Sequence, residues 1–149
     1  MPALVSFRRH GEYIATAGQP QPQHFPVLAR AGYAAIINLA TEASSNWLRD
    51  EPQICAELGL PYHHLPVTWT RPTPEDFDAF VALLDQYKHQ KLFVHCALNM
   101  RVSTFMFLHR VLNLGETVEA ASQDLHRVWT PDETWQRFID DMLQRRLSS

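Results

Sequence analysis

An α/β fold built on one central, mostly parallel sheet is what this sequence predicts, and three observations predict it. Short apolar runs alternate with segments of helical period from residue 13 to residue 112. One of the runs, Ala34-Ala35-Ile36-Ile37-Asn38-Leu39, is nearly continuous in apolar residues, as a strand covered on both faces is, and Leu92-Phe93-Val94-His95 is a further apolar run with a β-branched residue. From Arg101 onward the pattern is helical without a further strand. The expectation is a sheet of roughly four to five strands flanked by helices, closing in an all-helical C-terminal third. Residues 1–149 form a single domain on this reading, long enough to bury a core.

The elements follow in order. Tyr13-Ile14-Ala15-Thr16 reads as the first strand. Ala17-Gly18-Gln19-Pro20 turns into a helix around Phe25, Leu28 and Ala29, which Gly32 stops. The run from Ala34 to Leu39 is the next strand, and a polar loop from Thr41 to Asn46 follows. Asp50 caps a short helix with Pro52 in its first turn, Ile54, Cys55 and Leu58 facing inward, and Gly59 at its end. Cys55 is a core residue on this reading. Tyr62-His63-His64-Leu65-Pro66-Val67 is the third strand and leads into a loop holding Trp69. Thr73-Pro74-Glu75-Asp76 has the form of a capping box, and Phe77, Phe80, Val81, Leu84 and Tyr87 then repeat at helical spacing.

The strand from Leu92 to His95 comes next. Val102, Phe105, Met106, Leu108 and Leu112 place a helix after it that is apolar on most sides and therefore central. Val118, Ala121, Leu125 and Val128 line another helix. Thr130-Pro131-Asp132-Glu133 reads as a second capping box, opening a helix that buries Trp135, Phe138, Ile139, Met142 and Leu143.

Composition narrows the function classes. Hydrophobic content of 46% with 19% charged residues is that of a soluble globular protein. A net charge of −3, with no basic run and no aromatic ladder, speaks against a nucleic-acid surface. No stretch approaches the length of a membrane span, and Met1–His10 lacks the charged-then-apolar order of a signal peptide. Cys55 and Cys96 lie in different elements and form no CxxC pair, which points to a reducing cytoplasm and away from a disulfide framework or a zinc site.

The chemistry concentrates between Lys91 and Ser103. There an apolar strand ends in His95-Cys96, four residues follow, and Arg101 enters the central helix. Strand, tight loop and helix in that order make an anion site, because loop amides and the helix N-terminus point positive charge into the loop. A thiol placed there is pushed toward thiolate by the helix end and the nearby guanidinium. Thiolate beside guanidinium is the minimum kit for nucleophilic attack on a phosphoryl group. The structural alternative is that Cys96 is a small buried hydrophobe.

Four stretches together carry a resemblance: Ala17-Gly18-Gln19-Pro20, Ile37-Asn38-Leu39, His64-Leu65-Pro66-Val67, and Val94-His95-Cys96 through Ser103. With them the chain resembles bacterial dual-specificity-phosphatase-like proteins of the cysteine-dependent protein tyrosine phosphatase superfamily. The resemblance implies a phosphatase-like fold and a phosphomonoester hydrolase working through a phosphocysteine on Cys96. It implies Arg101 as the phosphate clamp, Ser103 easing thiolate release, and a phosphate cradle of Ala97, Leu98, Asn99, Met100 and Arg101. It implies no metal and no cofactor, and as partner a phosphorylated protein or a small phosphate ester. His95 is read as ordering the loop through hydrogen bonds.

Two positions depart from the family pattern. The family places five residues between Cys and Arg, whereas Cys96 and Arg101 have four, so Arg101 is displaced by one within a loop of ordinary length or the loop is shortened. Asn99 and Ser103 keep family register, and Asn suits the positive-φ position the family gives to Gly. Where the family's acid follows a Pro-Val pair, this chain has Thr68; Asp76 is a candidate acid and His64 a weaker one. Two other functions stand beside the hydrolase. One is a non-catalytic phosphate- or phosphoprotein-binding pseudophosphatase, and the other a rhodanese-like sulfurtransferase, whose short-loop spacing Cys-x-x-Asn-x-Arg matches.

Overall fold

The computed structural model describes residues 4–147; Met1–Ala3 of the amino-terminal stretch and Ser148–Ser149 lie outside them. Five strands form, β1 (Arg8–His10), β2 (Ile14–Ala17), β3 (Ala35–Asn38), β4 (Tyr62–His64) and β5 (Leu92–His95). Six helices accompany them: α1 (His24–Arg30), α2 (Glu51–Glu57), α3 (Pro74–Gln86), α4 (Met100–Leu112), α5 (Val118–Val128) and α6 (Glu133–Leu147). The sheet runs β1-β2-β5-β3-β4, parallel except for β1, which pairs antiparallel with β2. The expected α/β architecture and helical C-terminal third are present.

Side chains alternate across the middle of the sheet as strand pleating requires. Ala35, Ile37, Leu92, Val94 and Cys96 pack into the core formed with α3, α4 and α6, whereas Ile36 and Phe93 pack on the other face with residues of α1 and α2. His95 and Cys96 therefore leave the same strand end toward opposite faces. Helix α4 lies against the sheet with Arg101 through His109 all buried, which is why its pattern is apolar nearly all round.

Four details differ from the sequence reading. β1 was not visible, because an edge strand with the sequence Arg8-Arg9-His10 has no apolar run to announce it; the Gly11 turn and pairing with β2 hold it. β4 ends at His64 instead of reaching Val67. Pro66 has no amide to donate, and only Leu65 N–H (to Asn38 O, 2.8 Å) and Val67 N–H (to Leu39 O, 3.0 Å) tie that extension to its neighbour. Asp50 makes no side-chain cap, since its backbone (φ −89°, ψ 5°) lacks the extended shape a capping side chain needs. The cap of α6 is Asp132, whose Oδ1 accepts from Trp135 N–H at 2.9 Å, two residues later than Thr130 because the helix itself begins at Glu133. The Thr73 capping box forms as expected.

Candidate active site

β5 sits in the middle of the parallel strands, and its carboxyl end opens into the loop from Cys96 to Asn99. Ligand sites in open α/β sheets form at that end. Behind the loop, Gly18 and Gln19 act as a backstop. Gln19 N–H donates to Ala97 O at 2.9 Å, and Asn46 Nδ2 donates to the same oxygen at 3.0 Å. A Cβ on Gly18 would come within 2.6 Å of Ala97 O, so the close approach of these backbones requires glycine.

On the far face of the sheet, His95 Nε2 lies 2.6 Å from Glu51 Oε2, and both side chains are wholly buried. The second Glu51 oxygen accepts from Gln19 Nε2 at 2.8 Å, and His95 Nδ1 is 3.2 Å from Cys96 O. This chain of contacts ties α2, the Gly18-Gln19 turn and the loop into one unit, which gives His95 the ordering role expected of it. Sequence reasoning missed Glu51. An acid in the first turn of a helix is already accounted for by the dipole, and nothing local marks it as buried.

Asn99 adopts a left-handed conformation (φ 66°, ψ 7°), and α4 begins at the next residue. Its side chain turns away from the helix, with Nδ2 donating to Ser6 O (2.8 Å) and Thr16 Oγ1 (3.1 Å). The helix end is thus not capped by a side chain. Its first backbone bond is Ser103 N–H to Asn99 O at 2.9 Å, so the amides of Met100, Arg101 and Val102 have no intrahelical acceptor.

Arg101 occupies the second position of α4 and is only 6% exposed. Its guanidinium lies over the Trp69 ring at 5.2 Å, Nε has no hydrogen-bond partner, and Arg101 forms no ion pair among the described residues. A cavity of about 160 Å³ is lined by Trp69, Cys96, Ala97, Leu98, Met100 and Arg101. Cys96 and Arg101 therefore face one space. A stack of indoles holds Trp69 in place: its ring is 5.3 Å from that of Trp129 and 5.5 Å from that of Trp135, and its carbonyl accepts from Trp135 Nε1 at 2.9 Å.

The remaining candidates lie elsewhere. Ser103 Oγ donates to Met100 O at 3.0 Å and does not line the cavity. Asp76 is engaged in the α3 cap, its Oδ2 accepting from Thr73 N–H at 3.1 Å. His64 Nε2 lies 2.6 Å from Ala40 O. Thr68 is exposed. No carboxylate lines the cavity.

Cys55 is the core residue expected. Burial, with a smaller push from Glu51, raises its thiol to about 12. At pH 7 its thiolate fraction is on the order of 10⁻⁵. Iodoacetamide at neutral pH should accordingly modify Cys96 and leave Cys55 intact, as read by peptide mass spectrometry; equal labelling of the two would remove the distinction drawn between them.

No family model matches the chain. A Beta-lactamase hydrolase-like protein of Xylella fastidiosa, found in strains Temecula1 and 9a5c, is 33% identical over 105 residues. That match takes in 68% of this chain but only 24% of the relative, so the chain spans about a quarter of the length of the curated relatives it matches. Among solved structures, a candidate phosphatase (DUF442) from Shewanella putrefaciens CN-32 superimposes with a TM-score of 0.84 at 27% identity, over 96% of this chain and 94% of that one. PTPMT1, solved in complex with PI(5)P, superimposes with a TM-score of 0.78 at 12% identity, over 95% of this chain and 97% of that one. This is the cysteine-dependent phosphatase fold. Within it, Cys96 lies in the loop between the central strand β5 and the buried helix α4.

Proposed function

We propose that the protein is a phosphomonoester hydrolase in which Cys96 is the nucleophile and Arg101, with the α4 amides, holds the phosphoryl oxygens. The observation that carries this reading is Arg101 itself. A buried guanidinium without a carboxylate partner is costly, and a cavity shared with a thiol is where an anion would offset that cost. The left-handed turn at Asn99 supports a loop of ordinary length in which the arginine is displaced by one residue. The structural neighbours are phosphatases of this fold and lend the sulfurtransferase reading no support.

In the reaction, Cys96 Sγ attacks phosphorus and an S–P bond forms as the ester O–P bond breaks. Negative charge on the equatorial oxygens is met by guanidinium and amide donors fixed before the reaction begins. Water then attacks the phosphocysteine, releasing phosphate and returning the thiolate to Cys96. With no carboxylate lining the cavity, the leaving oxygen departs without a proton from the enzyme. Trp69, Leu98 and Met100 form apolar walls around the mouth, which suits an aryl or otherwise apolar ester. A phosphorylated protein or a small phosphate ester would each present such a group, in a compartment reducing enough to keep Cys96 a thiol.

The lack of an acid also favours a second reading, a module that binds the anion and does not turn it over. Both readings require the oxyanion site, so that is tested first. Phosphate, sulfate or vanadate at 100 times Kd stabilises the folded state by about 2.7 kcal/mol, a rise of roughly 5–10 °C in Tm for a chain of this size. Arg101→Ala should abolish most of that rise. Arg101→Lys should weaken it, because an ammonium cannot make the planar two-point contact. If Arg101→Ala kept the full anion shift, the proposed clamp would be lost. Hydrolysis of an aryl phosphate then separates the two readings.

A further inference from the structure

A second cavity, of about 230 Å³, is lined in part by Thr70, Arg71 and Pro72, which follow Trp69 in the same loop. Arg71 comes to it from that loop, and Arg137 and Arg145 come to it from α6. The two α6 arginines are eight residues apart and so share a helix face. The floor is apolar, made by Phe138 and Met142, and the only acid in the lining is Asp141. Arg137 is paired with Glu133 at 3.2 Å, whereas neither Arg71 nor Arg145 forms an ion pair among the described residues. In a chain of net charge −3, three of its 13 cationic side chains converge on one concavity. Convergent guanidinium groups over an apolar floor match an anion of planar or tetrahedral oxygen geometry.

One loop borders both the groove and the candidate active site. The Trp69 ring lies beneath Arg101 in one, while Thr70 and Arg71 wall the other. The Trp135 Nε1 bond to Trp69 O fixes this loop to α6, the helix that supplies the other arginines. Trp69 of the one site and Arg71 of the other are two residues apart in the chain, so their Cα atoms are at most about 7 Å apart. We infer that the Arg71–Arg137–Arg145 groove is a second anion subsite, so that the substrate is a phosphate ester carrying a further phosphate or carboxylate group. The inference deepens the phosphatase reading and rests on it for the word substrate; the groove as an anion site rests on its own residues.

The test uses the full chain and the double variant Arg71→Ala/Arg145→Ala, whose substitutions are at exposed positions outside the core. Tripolyphosphate, titrated calorimetrically, should bind the variant about tenfold more weakly than the original chain, because two charge-assisted contacts are removed. The stabilisation by inorganic phosphate, which depends on Arg101, should persist. In turnover, an aryl phosphate bearing a second anionic group should lose its KM advantage over the plain monoester in the variant, with kcat little changed. Equal tripolyphosphate affinity in the two proteins, or no binding to the original chain, overturns the inference. Tripolyphosphate binding that the variant loses, in a protein that inorganic phosphate does not stabilise, would sink the reading of the cysteine loop and leave the groove standing.

Discussion

Cys96→Ser should lower turnover of an activated aryl phosphate by about 10⁴-fold or more, while the protein stays folded and still binds phosphate. The expected size follows from the role: a group that forms and breaks the bond cannot be replaced by its neighbours, and a serine hydroxyl near neutral pH is a far weaker nucleophile than a thiolate. Folding should survive because the hydroxyl is close in size to the thiol it replaces in the core. The leaving group reports the rest of the mechanism. Esters of acidic phenols should react, whereas unactivated alkyl phosphates should barely do so, since general acid catalysis contributes roughly 10²–10⁴-fold and no acid lines this cavity. Thr68→Asp should accelerate the poor leaving groups if a carboxylate at that exposed position reaches the ester oxygen. Residual turnover in Cys96→Ser close to that of the original chain would eliminate the phosphocysteine. No hydrolysis of any phosphate ester by the original chain, with anion binding intact, would select the binding module.

What the sequence revealed and what it concealed divide along a physical line. Strand β3 was legible because burial on both faces forces consecutive apolar residues, β5 because it is an apolar run before the helix, and α4 because it is covered on nearly every side. Cys96 and Arg101 were legible from their place between the two. That they share a cavity was not, because a one-residue shift of Arg101 could have turned the guanidinium into the core or out to water. Strand β1 was hidden by its polarity, and the Asp132 cap by a neighbouring threonine with the same chemistry. Glu51 and the groove arginines were hidden for a different reason. Each is an ordinary residue in its own helix or loop, and its meaning lies in partners from 32 to 74 residues away, Gln19 and His95 for the one and α6 facing Arg71 for the others.

Glu51→Ala should destabilise the protein by about 3–5 kcal/mol, a loss of roughly 6–20 °C in Tm. Glu51 is fully buried, and its two oxygens receive His95 Nε2 and Gln19 Nε2. Alanine leaves His95 Nε2 buried and unmatched, whereas Gln19 Nε2 keeps Pro20 O at 3.0 Å, and an orphaned polar group loses its whole desolvation compensation. Glu51→Gln keeps the shape and one acceptor oxygen but brings a second donor to face donors, so its cost should fall between those of the original and Ala. The effect should also reach the anion site, because His95 contacts Cys96 O and Gln19 N–H holds Ala97 O. At a temperature where Glu51→Ala is still folded, phosphate should therefore stabilise it less than it stabilises the original chain. Pairing Glu51→Ala with His95→Phe, which removes one orphaned partner, should return part of the lost stability, and the double-mutant cycle measures how much of the cost belongs to that pair. A Glu51→Ala protein within about 1 kcal/mol of the original would mean that the carboxylate contributes little net stability, and that the loop draws its order from Gly18, Asn46 and Asn99 alone.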